Sequence, residues 1–225
     1  MEKDILLLHG ALGSSRQMDC LLPYLQNRSV YCPDLPGHGT HAGQAFTIES
    51  LSLWLKNYLE ENNLSQLRVF GYSMGGYLAL KHESEYPGTF FGVTTLGTKF
   101  DWSEKSAEME ASRLDSRFFL EKAPEFADLL MERHGVNWKT VLLETAEMMR
   151  ILGKQSELDL NQFYKIQCHV NLILGEFDKM VKPEETITVA NLILHSKYSL
   201  LSGAKHPFES LSQENLRLLT TFILG

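Results

Sequence analysis

The 225 residues, 44% hydrophobic and 22% charged, suffice for the core of one globular domain and are too apolar for a disordered chain. With 28 acidic against 21 basic residues and a net charge of -7, no summed positive field gathers phosphates, so a nucleic-acid partner is not expected. No apolar run reaches the roughly 20 residues that span a bilayer. The opening Met1-Glu2-Lys3-Asp4-Ile5 lacks a cationic region and cleavage site, so no membrane association is expected and the chain is placed in the cytoplasm.

In chain order, Asp4-Ile5-Leu6-Leu7-Leu8 is a continuous apolar run halted by His9-Gly10, the pattern of a strand buried on both faces. Met18, Leu21, Leu22 and Leu25 then recur at helical spacing up to Asn27, and Ser29 to Cys32 reads as a second strand. Asp34-Leu35-Pro36-Gly37-His38-Gly39 is a loop. Ile48, Leu51, Leu55, Tyr58 and Leu59 define a helix from Thr47 to Asn62, with Thr47 or Ser50 as its cap. Leu67 to Phe70 is a strand, followed at once by Gly71-Tyr72-Ser73-Met74-Gly75-Gly76 and a helix to Tyr86-Pro87. Phe90 to Leu96 resumes strand character. Such alternation implies a mostly parallel sheet with helices on both faces.

From about Thr98 to Tyr164 helical segments follow one another without a strand. Pro124 opens a helix that Gly135 ends, and Asn137 caps a longer one that Gly153 closes. Strand signals return at Val170 to Leu174, then a helix from Pro183 to Leu194, a strand from Lys197 to Leu201 and a last helix from Pro207 or Phe208 to Ile223. The expected organisation is an α/β core of residues 1–97 and 166–225, split by a helical cap over 98–165. Cys20, Cys32 and Cys168 form no CxxC pair and read as buried small hydrophobes.

Gly71-Tyr72-Ser73-Met74-Gly75 is a G-x-S-x-G sequence lying directly between a strand and a helix. In that context the serine sits on a strained turn at the strand's carboxyl end, where small neighbours are needed and where ligands of open α/β sheets bind. A serine hydroxyl attacks only when a base takes its proton, and the base is usually a histidine held by a carboxylate. Asp178 follows the strand ending at Leu174, with Glu176 as a spare carboxylate, and His206 lies in the loop after the last strand. Ser73, Asp178 and His206 are therefore the expected catalytic residues. The backbone amides of Met74 and Ala11, with Leu12 as fallback, are the expected donors to the oxyanion. His9 reads as a structural brace of its loop.

These motifs, Leu8-His9-Gly10, Leu35-Pro36-Gly37-His38-Gly39, the Ser73 turn, Gly175-Glu176-Phe177-Asp178 and His206, resemble the α/β-hydrolase superfamily over essentially the whole chain. Within it the chain looks most like small esterases and menaquinone-pathway lyases. The resemblance implies the Ser73, Asp178 and His206 triad, an oxyanion hole from Ala11 and Met74, a cap over the pocket and no metal or organic cofactor. The usual antiparallel strands before the His-Gly strand are missing, so about six strands are expected. His38 and His41 flank Gly39-Thr40, but no third ligand is signalled and a zinc site is rejected.

Aromatic and thioether residues of the insertion are expected to be mostly its own packing. Leu12, Tyr72, Phe100 and Trp102 are the expected substrate contacts. Arg113, Arg117, Arg133 and Arg150 read as helix-surface ion pairs before carboxylate clamps. The expected function is hydrolysis of a small carboxylic ester or thioester through an acyl-enzyme. The alternatives are a lyase or carbon–carbon hydrolase acting on a carboxylate through the same base, and a non-catalytic ligand-binding protein of the same fold.

Overall fold

Strands β1 (Ile5–Leu8), β2 (Val30–Tyr31), β3 (Leu67–Tyr72), β4 (Phe90–Leu96), β5 (His169–Gly175) and β6 (Ser196–Leu201) form one sheet in the computed structural model, which describes residues 3–225. Met1 and Glu2, read above for a targeting signal, lie outside the described residues. The spatial order is β2-β1-β3-β4-β5-β6, and every neighbouring pair is parallel. The chain steps outward from β1 to β2 and returns to β3 on the other side of β1. The crossovers diverge there, opening a crevice above the carboxyl ends of β1 and β3.

Alternation along the strands fills two cores. Leu6, Leu8, Val69, Val93 and Leu172 face one side, against helices α1 (Ile48–Glu61), α2 (Met74–Glu85) and α8 (Pro183–Leu192). Ile5, Leu7, Phe70, Tyr72, Leu96 and Ile173 face the other, against Met18, Leu21 and Leu25 and helix α9 (Gln213–Leu224). Each such buried aliphatic side chain contributes about 2 kcal/mol. Between β4 and β5 run α3 (Glu104–Ala111), α4 (Ser116–Lys122), α5 (Pro124–His134), α6 (Trp138–Lys154) and α7 (Leu160–Phe163). Ala146, Met148, Met149 and Leu152 of α6 join the first core, while Ala127, Leu130, Trp138 and Leu142 make a smaller cluster against which Leu12 packs.

Several local expectations are corrected. The segment Ser15–Tyr24 is a 3-10 helix, not an α-helix; Pro23 lies inside it and Leu22 is exposed. The second strand shrinks to Val30–Tyr31. Gly153 does not close α6 but lies within it, because a Cβ there would stand 2.5 Å from the Ala107 Cβ of α3. Asn137 makes no side-chain cap for α6; its amide donates to Ala42 O instead. The last helix starts at Gln213, capped by Ser212, after a separate 3-10 turn at Phe208–Ser210. Cys20 is exposed and Cys32 half-buried, so only Cys168 is buried as expected, and all three cysteines are free.

Candidate active site

The turn after β3 has to fit a serine where the backbone reverses into α2. Ser73 adopts φ 50° and ψ -113°, a conformation L-residues rarely adopt, and its amide donates to Leu96 O at 2.8 Å. The turn closes only because its flanking residues lack side chains. A Cβ on Gly71 would lie 2.4 Å from Gly76 N, and one on Gly75 would lie 2.2 Å from Leu8 O. The strain is thus held by contact with β1. Met74 begins α2, so its N–H is one of the first-turn donors without an intrahelical partner, at the positive end of the helix dipole.

All strands being parallel, the loops after β1, β3, β5 and β6 emerge on the same edge. His206 Nδ1 and Asp178 Oδ2 are 2.7 Å apart, with the carboxylate side chain only 1% exposed and the imidazole 18%. The other carboxylate oxygen of Asp178 accepts the amides of Met180 and Val181 at 2.8 and 2.9 Å. Burial pushes Asp178 upward, but the His206 hydrogen bond and charge, with those two amides, outweigh it and hold the carboxyl below its usual value. Gly97, one residue beyond the Leu96 carbonyl that binds Ser73, abuts both: a Cβ there would lie 3.2 Å from Asp178 Oδ2 and 3.3 Å from His206 Nδ1. Glu176, the spare carboxylate, is exposed and accepts from Ser202 Oγ and Gly203 N, bracing the turn ahead of His206.

Ala11, Ser73 and Met74 share a narrow cleft with Ile48, Tyr77, Lys99, Trp102 and the thioethers Met148, Met149 and Met180. Of the expected substrate contacts, Trp102 is in this wall. Leu12, Tyr72 and Phe100 are not. Tyr72 is buried on the opposite face of the sheet, where its hydroxyl donates to His206 O at 2.8 Å and its ring packs on Phe208. Phe100 stacks edge-on against Phe163 in the core.

Leu12 holds a different post. Its φ of 62° closes the turn in which Gly13 N donates to Gly10 O, and its carbonyl accepts from His134 Nε2 at 3.0 Å and Arg133 Nη1 at 3.4 Å. Arg133 also pairs with Glu209, which in turn accepts from Gln17 Nε2 at 2.8 Å, and Gln17 Oε1 accepts from Gly10 N at 3.1 Å. The turn carrying Ala11 is therefore tied on both sides. Beneath it lie three buried histidines. His9 Nε2 accepts from Leu35 N and its Nδ1 donates to Gly10 O; His134 Nδ1 accepts from Gly39 N. Each accepting nitrogen carries no proton, so both rings are neutral, and burial lowers His9 to about 4 and also lowers His38 and His134. His38 packs between His9 and Phe46 while His41 is exposed, so these two do not converge.

The four arginines are engaged elsewhere: Arg113 with Glu110, Arg117 with Asp115, Arg150 with Glu108 and Arg133 with Glu209. The positive charge in the cleft belongs to Lys99, which nothing in the sequence pattern singled out, since a lone lysine two residues after a Gly at a strand end carries no motif.

Among known proteins, a family model described as the alpha/beta hydrolase fold matches residues 4–156. A 94-residue stretch, 41% of this chain, is 31% identical to 36% of 2-succinyl-6-hydroxy-2,4-cyclohexadiene-1-carboxylate synthase of Enterobacter sp. (strain 638). The match spans only about a third of that relative. Of solved structures, NosK from Streptomyces actuosus is 18% identical with a TM-score of 0.82, over 99% of this chain and 97% of that one. A thermophilic esterase from Thermogutta terrifontis is 19% identical with a TM-score of 0.74, over 100% and 92%. The family match covers well over half of the chain, and the protein belongs to the alpha/beta hydrolase fold family.

Proposed function

We propose that the protein is a serine hydrolase cleaving a small carboxylic ester or thioester, with Ser73 as nucleophile, His206 as general base and acid, and Asp178 as the group that orients His206. The observation carrying this reading is the 2.7 Å Asp178–His206 pair on the same edge of the parallel sheet as a strained Ser73, which lines an apolar cleft. With Nδ1 donating to Asp178, the free Nε2 of His206 takes the Ser73 proton as Oγ attacks the acyl carbon. The tetrahedral oxyanion is met by the Ala11 and Met74 amides, each worth about 3 kcal/mol of barrier. His206 then gives the proton to the leaving alcohol or thiol. Water, activated by the same ring, releases the acid and restores Ser73.

In this reading the segment between β4 and β5 forms the cap, because Trp102, Met148, Met149 and Leu152 line the cleft from it. Their apolar surface suits a short acyl chain or a small ring. The free cysteines fit a reducing compartment such as the cytoplasm.

A second reading, a lyase or carbon–carbon hydrolase, would use the same base on a substrate with several carboxylates. Arg113, Arg117, Arg133 and Arg150 are paired elsewhere, and among the described residues that line the cleft Lys99 is the one cation, which favours the hydrolase. The test is turnover of ester and thioester panels of graded acyl length by wild type and Ser73→Ala. Ser73-dependent hydrolysis of short members is expected; turnover that survives in Ser73→Ala overturns the reading.

A further inference from the structure

Lys99 is a charge the cleft wall does not need for its own packing. Its side chain is 4% exposed, and it lines the cleft together with Ala11, Trp102, Met148 and Met149. Removing an ammonium from water costs several kcal/mol unless it is well paired. The partners at hand are loose: Met180 O at 3.4 Å, Glu185 Oε1 at 3.6 Å and the face of Trp102 at 5.8 Å.

Glu185, moreover, is already satisfied. One of its oxygens accepts the amides of Phe100 and Asp101, both at 2.7 Å, and the other accepts the amide of Lys182 at 2.8 Å. Its work is to pin the loop after β4 to the start of α8, and three backbone donors do that without Lys99. An ammonium has three donors, and with Met180 O and Glu185 Oε1 both at long range none of them is held in a short bond. A buried cation held only by long contacts, in the wall that also carries Ser73 and among apolar neighbours, is a receptor for one negative group.

We propose that Lys99 is a specificity-determining residue that binds a carboxylate of the substrate, so that the preferred substrates are esters or thioesters carrying a single free carboxylate. The inference rests on the hydrolase reading above for the reaction, but the subsite itself stands on the cleft. One cation in the wall matches one anionic group; the remaining contacts are apolar. Glu185 would then serve as counter-charge and tether, holding the ammonium at the wall in the unliganded site.

The test compares matched esters: p-nitrophenyl half-esters of succinate, glutarate and adipate against p-nitrophenyl butyrate and pentanoate, and 4-acetoxybenzoate against phenyl acetate for a carboxylate on the leaving side. Wild type is expected to prefer the carboxylate member of at least one series in kcat/KM. Lys99→Met should lower the charged-to-neutral ratio by about tenfold or more, and Lys99→Arg should keep part of it. Equal or lower kcat/KM for every charged member, or a ratio unmoved in a folded Lys99→Met protein, overturns the proposal while leaving the hydrolase intact. If neither class is turned over, the hydrolase reading fails by itself. Binding of glutarate to Ser73→Ala and to Ser73→Ala/Lys99→Met by calorimetry then decides the subsite, binding lost with Lys99 supporting it and binding absent or unchanged overturning it.

Discussion

The Arg133 guanidinium pairs with Glu209 and so joins α5, in the segment between β4 and β5, to the 3-10 turn two residues beyond His206. The same guanidinium touches the Leu12 carbonyl, and Gln17 carries the chain of hydrogen bonds on to Gly10 N. The turn holding the Ala11 amide and the loop holding His206 are therefore tied to one side chain, itself 7% exposed. Arg133→Met is expected to lower kcat about tenfold with little change in KM, since alignment rather than substrate contact is lost, and to cost ~2 kcal/mol of stability. Steady-state kinetics and urea unfolding check both parts.

Stability should fall on mild acidification. His9 is neutral in the fold with its pKa lowered from 6.5 to about 4, so the unfolded chain binds the extra proton between those values. The contribution is complete above pH 6.5 and is lost as the pH falls toward 4; for His9 alone the loss has reached about 2 kcal/mol at pH 5. His38 and His134 are lowered in the same direction and add to it. Urea midpoints at pH 7.5 and pH 5 measure the loss, and His9→Gln should flatten the profile.

Asp178→Asn should leave the fold intact, because Asn Oδ1 still accepts from the Met180 and Val181 amides. Its amide nitrogen cannot accept from His206 Nδ1, so the ring is held in the wrong tautomer, and kcat should fall about 10³- to 10⁴-fold. Circular dichroism with ester kinetics separates the two effects.

Met149 and Met148 line the cleft wall and are also part of the core, at 7% and 2% exposure. Met149→Ala should open the wall and shift the best acyl chain toward greater length, at a stability cost of about 2–4 kcal/mol. A chain-length series reads the shift directly. Gly153→Ala, by contrast, should cost about 1–3 kcal/mol without moving that series, because its new Cβ meets Ala107 between α3 and α6.

The sheet was legible because strands buried on both faces are written as unbroken apolar runs such as Ile5–Leu8, and the serine turn because its glycines are forced by backbone contact. Boundaries misled where one residue type serves two purposes. Gly153 reads as a helix end, yet it is an interior contact; Leu22 keeps a helical spacing that the Pro23-bearing 3-10 segment does not use. Tyr72 sits next to the nucleophile in sequence but, by the alternation of a strand, points to the opposite face. Lys99, Glu209 and Gln17 were silent because their meaning lies in contacts across the fold, Gln17 and Glu209 being 192 residues apart.

An activated Ser73 served by His206 should react with a fluorophosphonate. Intact-protein and peptide mass spectrometry after exposure to that reagent should show one adduct, mapped to the peptide holding Ser73, abolished in Ser73→Ala and strongly slowed in His206→Ala. A folded wild-type protein that forms no adduct, or one that labels equally in Ser73→Ala, contradicts that role for Ser73.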